Sequence, residues 1–128
     1  MFEQDYLLRM LMDFAAAIRR SIERAGGQQV PSGAAGMLEE AIGNAVDIDG
    51  GVLLSLSPES IASILEVSGT DPHVTEYVAR SLLLASDYHA QAGHSELAAL
   101  RRGQALAIAD AYGHDLTAAF DFEGDVEL

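Results

Sequence analysis

Residues 72–112, PHVTEYVARSLLLASDYHAQAGHSELAALRRGQALAIADAY, hold two long stretches with apolar residues at steps of three and four, interrupted once at Ala92-Gly93-His94-Ser95. That period marks amphipathic helices, and a glycine followed by a capping residue marks where one helix stops and the next begins. The stretch therefore reads as a helical hairpin. Pro72 opens its first arm, in which Val74, Tyr77, Val78, Leu84, Ala85 and Tyr88 face inward, and Gly93 takes the left-handed stop position. The second arm runs from about Ser95 to Tyr112-Gly113. Ala98, Ala105 and Ala109 line up along it, letting a neighbouring backbone approach closer than leucines would allow.

Toward the N-terminus the same start signals recur. Ser57-Pro58-Glu59 supplies a capping hydroxyl, a proline at the first helical position and a carboxylate in the positive first turn. The helix it opens carries Ile61, Ile64 and Leu65 on its apolar side and ends at Gly69. Ser32 is expected to cap a short second helix that buries Met37, Leu38, Ala41 and Ile42. Between them, Asp47-Ile48-Asp49-Gly50-Gly51 reads as a turn, and Gly51-Val52-Leu53-Leu54 is a short β-leaning run. A calcium loop of the EF-hand type is not supported there, because the position that should hold the closing glutamate is Leu56.

The first helix is expected from about Glu3 to Ala25, with Leu7, Leu11, Phe14, Ile18 and Ile22 in one stripe. Asp5, Arg9 and Asp13, and Arg19 with Glu23, fall at steps of four and suit a solvated face. Leu8, Met10, Met12 and Ala15 widen the apolar arc, so this helix is either sandwiched in the core or docked on another chain. Beyond the hairpin, His114–Leu128 offers one turn at Asp115–Phe120 and then a frayed acidic end. The expected architecture is a single all-α domain of about five helices: three within residues 1–69, the hairpin within 70–113, and a partly disordered tail at 114–128.

Composition narrows the function classes. The chain has 128 residues, 49% of them apolar, enough for one core without staples. No cysteine is present, which excludes disulfides, thiolate nucleophiles and thiolate-bound zinc and is compatible with a reducing interior. Twenty acids against seven cations, all arginine, give a formal charge of −13. Such a balance repels nucleic-acid phosphates and anionic lipid surfaces. The longest apolar stretch, Leu7–Ile18, is broken by Arg9 and Asp13 and falls short of a membrane span, and the N-terminus lacks the pattern of a secretory signal.

Chemistry-bearing constellations are sparse. His73, His89, His94 and His114 are the candidates for acid–base or metal work near neutral pH, and Asp87, His89 and His94 cluster around the hairpin turn. Their spacing matches no standard ligand pairing, so they read as solvent-facing histidines near helix ends. Glu39-Glu40 point about 100° apart on a helix and read as an exposed charged side. No metal and no cofactor is expected. Leu83 falls among Glu76, Arg80 and Asp87 on what should be the wet side of its helix, where something is expected to cover it. Arg101 and Gln104, set between Leu97 and Ile108, either line a groove or bond to a neighbouring loop.

Gly93, Ala98, Ala105, Leu106 and Ile108 keep the spacing of a tetratricopeptide repeat from its turn glycine onward, so residues 72–112 resemble one such hairpin. The likeness departs at Tyr88, one residue out of step, at Arg102 in place of an aromatic, and at Asp110 in place of a closing proline. A lone repeat cannot build a peptide-binding superhelix, so the resemblance is one of shape. The opening Met1-Phe2-Glu3-Gln4-Asp5-Tyr6-Leu7-Leu8-Arg9 resembles the start of a family of small bacterial helical proteins with no assigned function. That resemblance implies a bacterial, cytoplasmic protein and brings no catalytic residues with it.

The sequence thus points to a non-enzymatic interaction or assembly module, a homo-oligomer or the binder of another protein, with Tyr6, Met10, Leu83, Tyr88 and Arg101 as contact residues. Neither nucleic acid nor membrane is an expected partner. The competing class is a small enzyme or a ligand- or metal-binding protein, with a pocket near the hairpin turn using His89 or His94 with Asp87 and Tyr88.

Overall fold

A computed structural model describes residues 2–26, 31–46, 48–118 and 120. Among them there is no strand, and six helices follow in chain order: α1 Phe2–Gly26, α2 Pro31–Val46, α3 Gly50–Leu54, α4 Pro58–Val67, α5 Pro72–Gln91 and α6 Ser95–Tyr112. The all-α class is as expected. The sixth element is α3, which occupies the run that leans toward strand by composition. Asp49 starts it by accepting hydrogen bonds from the amides of Gly51 (2.9 Å) and Val52 (3.2 Å), and packing keeps it helical, since Leu53 and Leu54 are both buried. At α2 the helix begins on Pro31, so Ser32 lies inside it rather than at the cap.

The start signals of α4 and α5 act as their chemistry dictates. Ser57 accepts from the Ser60 amide, and Asp71 accepts from the His73 amide at 2.8 Å, each just ahead of a proline in the first turn. The turn between α5 and α6 closes through the His94 amide donating to the His89 carbonyl at 2.8 Å. That bond requires the φ of +84° that Gly93 adopts, so a side chain there would strain the hairpin.

Helix α5 lies at the centre, packed along α6 and crossed by α2 and α1, while α4 seats against α6 and α3 against α2. One cluster runs through all six helices, with Leu11, Phe14 and Ile18 from α1, Leu38 and Ile42 from α2, Leu53 from α3, Leu65 from α4, Tyr77 and Leu82 from α5 and Ile108 from α6. Burial of each such side chain contributes roughly 1.5–3 kcal/mol before the entropy of ordering the chain is charged against it. The stripe expected on α1 ends one turn early. Ile18 is buried and Ser21 takes the next inward position, leaving Ile22 half-exposed.

Leu83 is half-buried against the core of its own chain, and Arg80, one turn before it, is held from the C-terminal side. Arg80 donates from Nη2 to the Asp115 carbonyl (2.8 Å) and from Nη1 to that of Ala118 (3.0 Å), and its guanidinium lies 4.5 Å from the centre of the Phe120 ring. Phe120 in turn meets Tyr77 edge-on at 5.3 Å. The turn expected after residue 114 is therefore fastened to α5, whereas the acidic run 121–128 lies outside the described residues.

The joint between α2 and α3 is a backbone contact. A Cβ built on Gly43 would stand 3.2 Å from the Gly50 Cα, an atom with no freedom to swing aside. Gly43→Val is expected to push α3 off α2 and lower unfolding stability by about 1–3 kcal/mol, read as a shift of the urea midpoint at unchanged slope.

Candidate functional site

The largest concentration of polar chemistry among the described residues is a buried knot between α2, α5, α6 and the C-terminal end of α3 with the residues that follow it. Arg101 is 7% exposed. Its Nε donates to Glu39 Oε2 at 2.7 Å, and its Nη1 donates to the Leu54 carbonyl at 2.7 Å and to Gln104 Oε1 at 3.1 Å. Gln104, wholly buried, donates to the carbonyls of Leu54 (3.0 Å) and Leu56 (2.8 Å). His89 Nε2 lies 2.8 Å from the same Glu39 oxygen. A carboxylate only accepts, so Nε2 carries the proton, and Nδ1 is left buried with no partner.

This knot corrects two expectations and bears out a third. Glu39 does not belong to an exposed charged side; it binds two cationic or hydrogen-donating groups from α5 and α6, while Glu40 stays exposed. His89 is not solvent-facing, being 5% exposed. Arg101 and Gln104 do bond to a neighbouring loop. The signal for Glu39 and His89 was present as register: Ala35 and Ile42 sit four before and three after Glu39, and Leu82 and Ala85 sit seven and four before His89, so both continue buried stripes.

The quartet proposed around the hairpin turn does not converge. His89 is engaged by Glu39, Asp87 is exposed, and His94 is exposed with its ring centre 6.0 Å from that of His89. Tyr88 is 5% exposed, its hydroxyl held above the ordinary phenol range chiefly by desolvation, against the hydrogen bond of Ser21 and with the help of the Asp87 charge. Among the described residues, no three histidines or carboxylates come together in a metal-holding group.

Of the five contact residues expected, Tyr88 and Arg101 are inside the fold, and Arg101 is held there by its three hydrogen bonds to Glu39, the Leu54 carbonyl and Gln104. Tyr6 and Met10 lie together. With Phe14 and Ala17 of α1 and Met37, Ala41 and Ala45 of α2 they line a groove of about 490 Å³, rimmed by Arg9, Asp13, Arg20, Glu40 and Asn44. Tyr6 is 69% exposed at its end. The groove forms because α2 presents alanines toward α1, leaving room that larger residues would fill.

At the opposite end His114 is held against α5. The Thr75 hydroxyl donates to the Pro72 carbonyl at 3.0 Å, so it accepts from His114 Nε2 at 2.9 Å, and the imidazole stacks on Tyr112 at 5.8 Å. Desolvation lowers the His114 pKa below its ordinary value; Glu76, 3.8 Å away, and the Pro72 carbonyl oppose this, while Arg80 and His73 add to it.

Comparison with known protein families, with curated proteins and with solved structures gave no match. No helix of the described residues is long and apolar enough to cross a membrane.

Two outcomes follow from this geometry. Arg101→Ala leaves Glu39 and the Leu54 carbonyl short of donors in a buried place and is expected to cost about 3–5 kcal/mol in urea unfolding. Combining it with Glu39→Gln should cost less than the two single changes summed. For His114, a folded pKa below the unfolded value of about 6.5 means that the unfolded chain binds the proton more readily. Its contribution is fully present above about pH 6.5 and is lost as pH falls through the lowered folded value, so the drop in thermal midpoint from about pH 8 to about pH 5 should be smaller in His114→Gln than in the parent.

Proposed function

We propose that this chain is a non-enzymatic protein–protein interaction or assembly module of the cytoplasm, meeting another protein or a second copy of itself through α1 and the groove it forms with α2. The observation that carries the reading is the groove itself: methionines and alanines on its floor, an exposed tyrosine at its end and charges of both signs on its rim. Methionine adapts to irregular partners, and an aromatic anchor above a shallow apolar floor is the form in which helix-in-groove recognition works.

The polar groups support the same reading from the other side. Glu39, Arg101, Gln104 and His89 spend their hydrogen bonds on joining helices, and His114 and Arg80 spend theirs on fastening residues 114–118. The α5–α6 hairpin then serves as the rigid back against which α1 and α2 are held, a use of tetratricopeptide-like shape without the peptide-binding superhelix. Tyr6 and Met10 remain as contact residues, and Leu83 is a half-buried neighbour of the core.

Met10 is partly buried against the core, so the test compares baits at a temperature where urea unfolding finds each of them fully folded. Parent, Tyr6→Ala and Met10→Glu proteins would be immobilised in extract of the native host and their captured proteins quantified. The expected result is at least one stoichiometric protein, or added copies of the chain itself, retained by the parent and reduced on the order of tenfold by Met10→Glu. Identical capture by all three baits would sink the groove as the binding surface.

A further inference from the structure

The outward seam of α1 consists of Arg9, Asp13, Ala16, Arg20 and Glu23, positions at alternating steps of four and three, hence one line along the helix. The four charged members are exposed and Ala16 is half-exposed. Their charges run plus, minus, neutral, plus, minus. Reversed, that order becomes minus, plus, neutral, minus, plus, so every charge meets its opposite when two copies of the line are laid antiparallel. We infer that α1 is a homodimerisation seam in which two copies of the chain pair antiparallel about a two-fold axis at Ala16.

In that register Arg9 faces Glu23 of the second copy, Asp13 faces its Arg20, and the two Ala16 methyls meet at the axis, where a small residue lets the helices approach closely. The flanks add apolar area. Tyr6, 69% exposed, comes beside the other copy's Arg24, and Met12, 56% exposed, comes beside the stem of its Arg19. Within one copy Glu23 meets Arg19 at 3.9 Å between exposed groups, a surface pair that contributes little and can be exchanged for a partner across the seam.

Net charge selects a second copy here rather than elsewhere. Within Phe2–Gly26 four arginines balance four acids, whereas the remaining three arginines stand against the remaining sixteen acids. Two chains of charge −13 repel over most of their surfaces, and α1 is where they can meet without that cost. This names the partner within the interaction-module reading and rests on it.

The absence of cysteine makes a direct test available. Sedimentation of the parent at about 100 µM and low salt should show a dimer, weakening as salt is raised. Asp13→Arg and Arg20→Asp, each placing like charges across the axis twice, should each weaken the dissociation constant on the order of tenfold, and the double reversal Asp13→Arg/Arg20→Asp should restore it. Ala16→Cys should form an intermolecular disulfide on mild oxidation, while Ala99→Cys, on the exposed side of α6, should not.

A dimer that survives both single reversals, or a double reversal that fails to restore it, overturns the seam and leaves the interaction module standing. A parent that stays monomeric also overturns the seam, and the module reading is then judged on the bait comparison alone. All the substituted side chains lie at the surface, and helix content by circular dichroism verifies that the variants are folded.

Discussion

The hold of Arg101 on Glu39 is the constraint from which most of the architecture follows. A guanidinium drawn into the interior must have its charge matched and its donors satisfied, or the desolvation penalty of several kcal/mol stands uncompensated. Here one carboxylate from α2 matches the charge, and the carbonyl of Leu54, the last residue of α3, and the side-chain amide oxygen of Gln104 satisfy donors on one side. The position of α2 relative to α6 is thereby fixed to within hydrogen-bonding tolerance, and with it the slope of α1, which lies against α2. The groove between α1 and α2 depends on that placement. Apolar packing alone would tolerate sliding of these helices, whereas a knot of directional bonds does not.

The sequence was most readable where local chemistry acts within one turn. Ser57 before Pro58, Asp71 before Pro72 and Gly93 at the hairpin each determine a helix end through bonds to residues two to five positions away, and each helix end falls where those residues place it. It was least readable where the deciding contact lies far along the chain. The helical state of Gly50–Leu54 depends on Gly43 and on the burial of Leu53 and Leu54, none of which a β-leaning tetrapeptide displays. The inward turn of Glu39 depends on an arginine 62 positions later.

The contact residues divide along the same line. Tyr6 and Met10 belong to α1, whose wide apolar arc is a property of its own sequence, and the structure leaves them on an open groove. Tyr88 reads both as an inward-facing residue of the hairpin and as a contact residue, and Arg101 as lining a groove or bonding to a loop, because an aromatic or polar side chain on a largely apolar helix has two physical origins, an exposed contact or an internal one. Both are buried in the fold, Arg101 within a network of hydrogen bonds. Periodicity offers a way to tell the two origins apart, since Tyr88 continues the stripe of Tyr77 and Ala85, and Arg101 stands seven before Ile108 and three before Gln104.

The arrangement of helices also bears on how the chain reaches this state. Of its three most extensive interfaces, two join elements that are consecutive in the chain, α1 with α2 and α5 with α6. Such pairings close short loops and carry little entropic delay, so the two hairpins can form early and independently. The long-range step is their docking through α2 and α5, and the Glu39 bonds to His89 and Arg101 span it. A nucleus made of two preformed hairpins, completed when the arginine finds its carboxylate, is the order of events this topology favours.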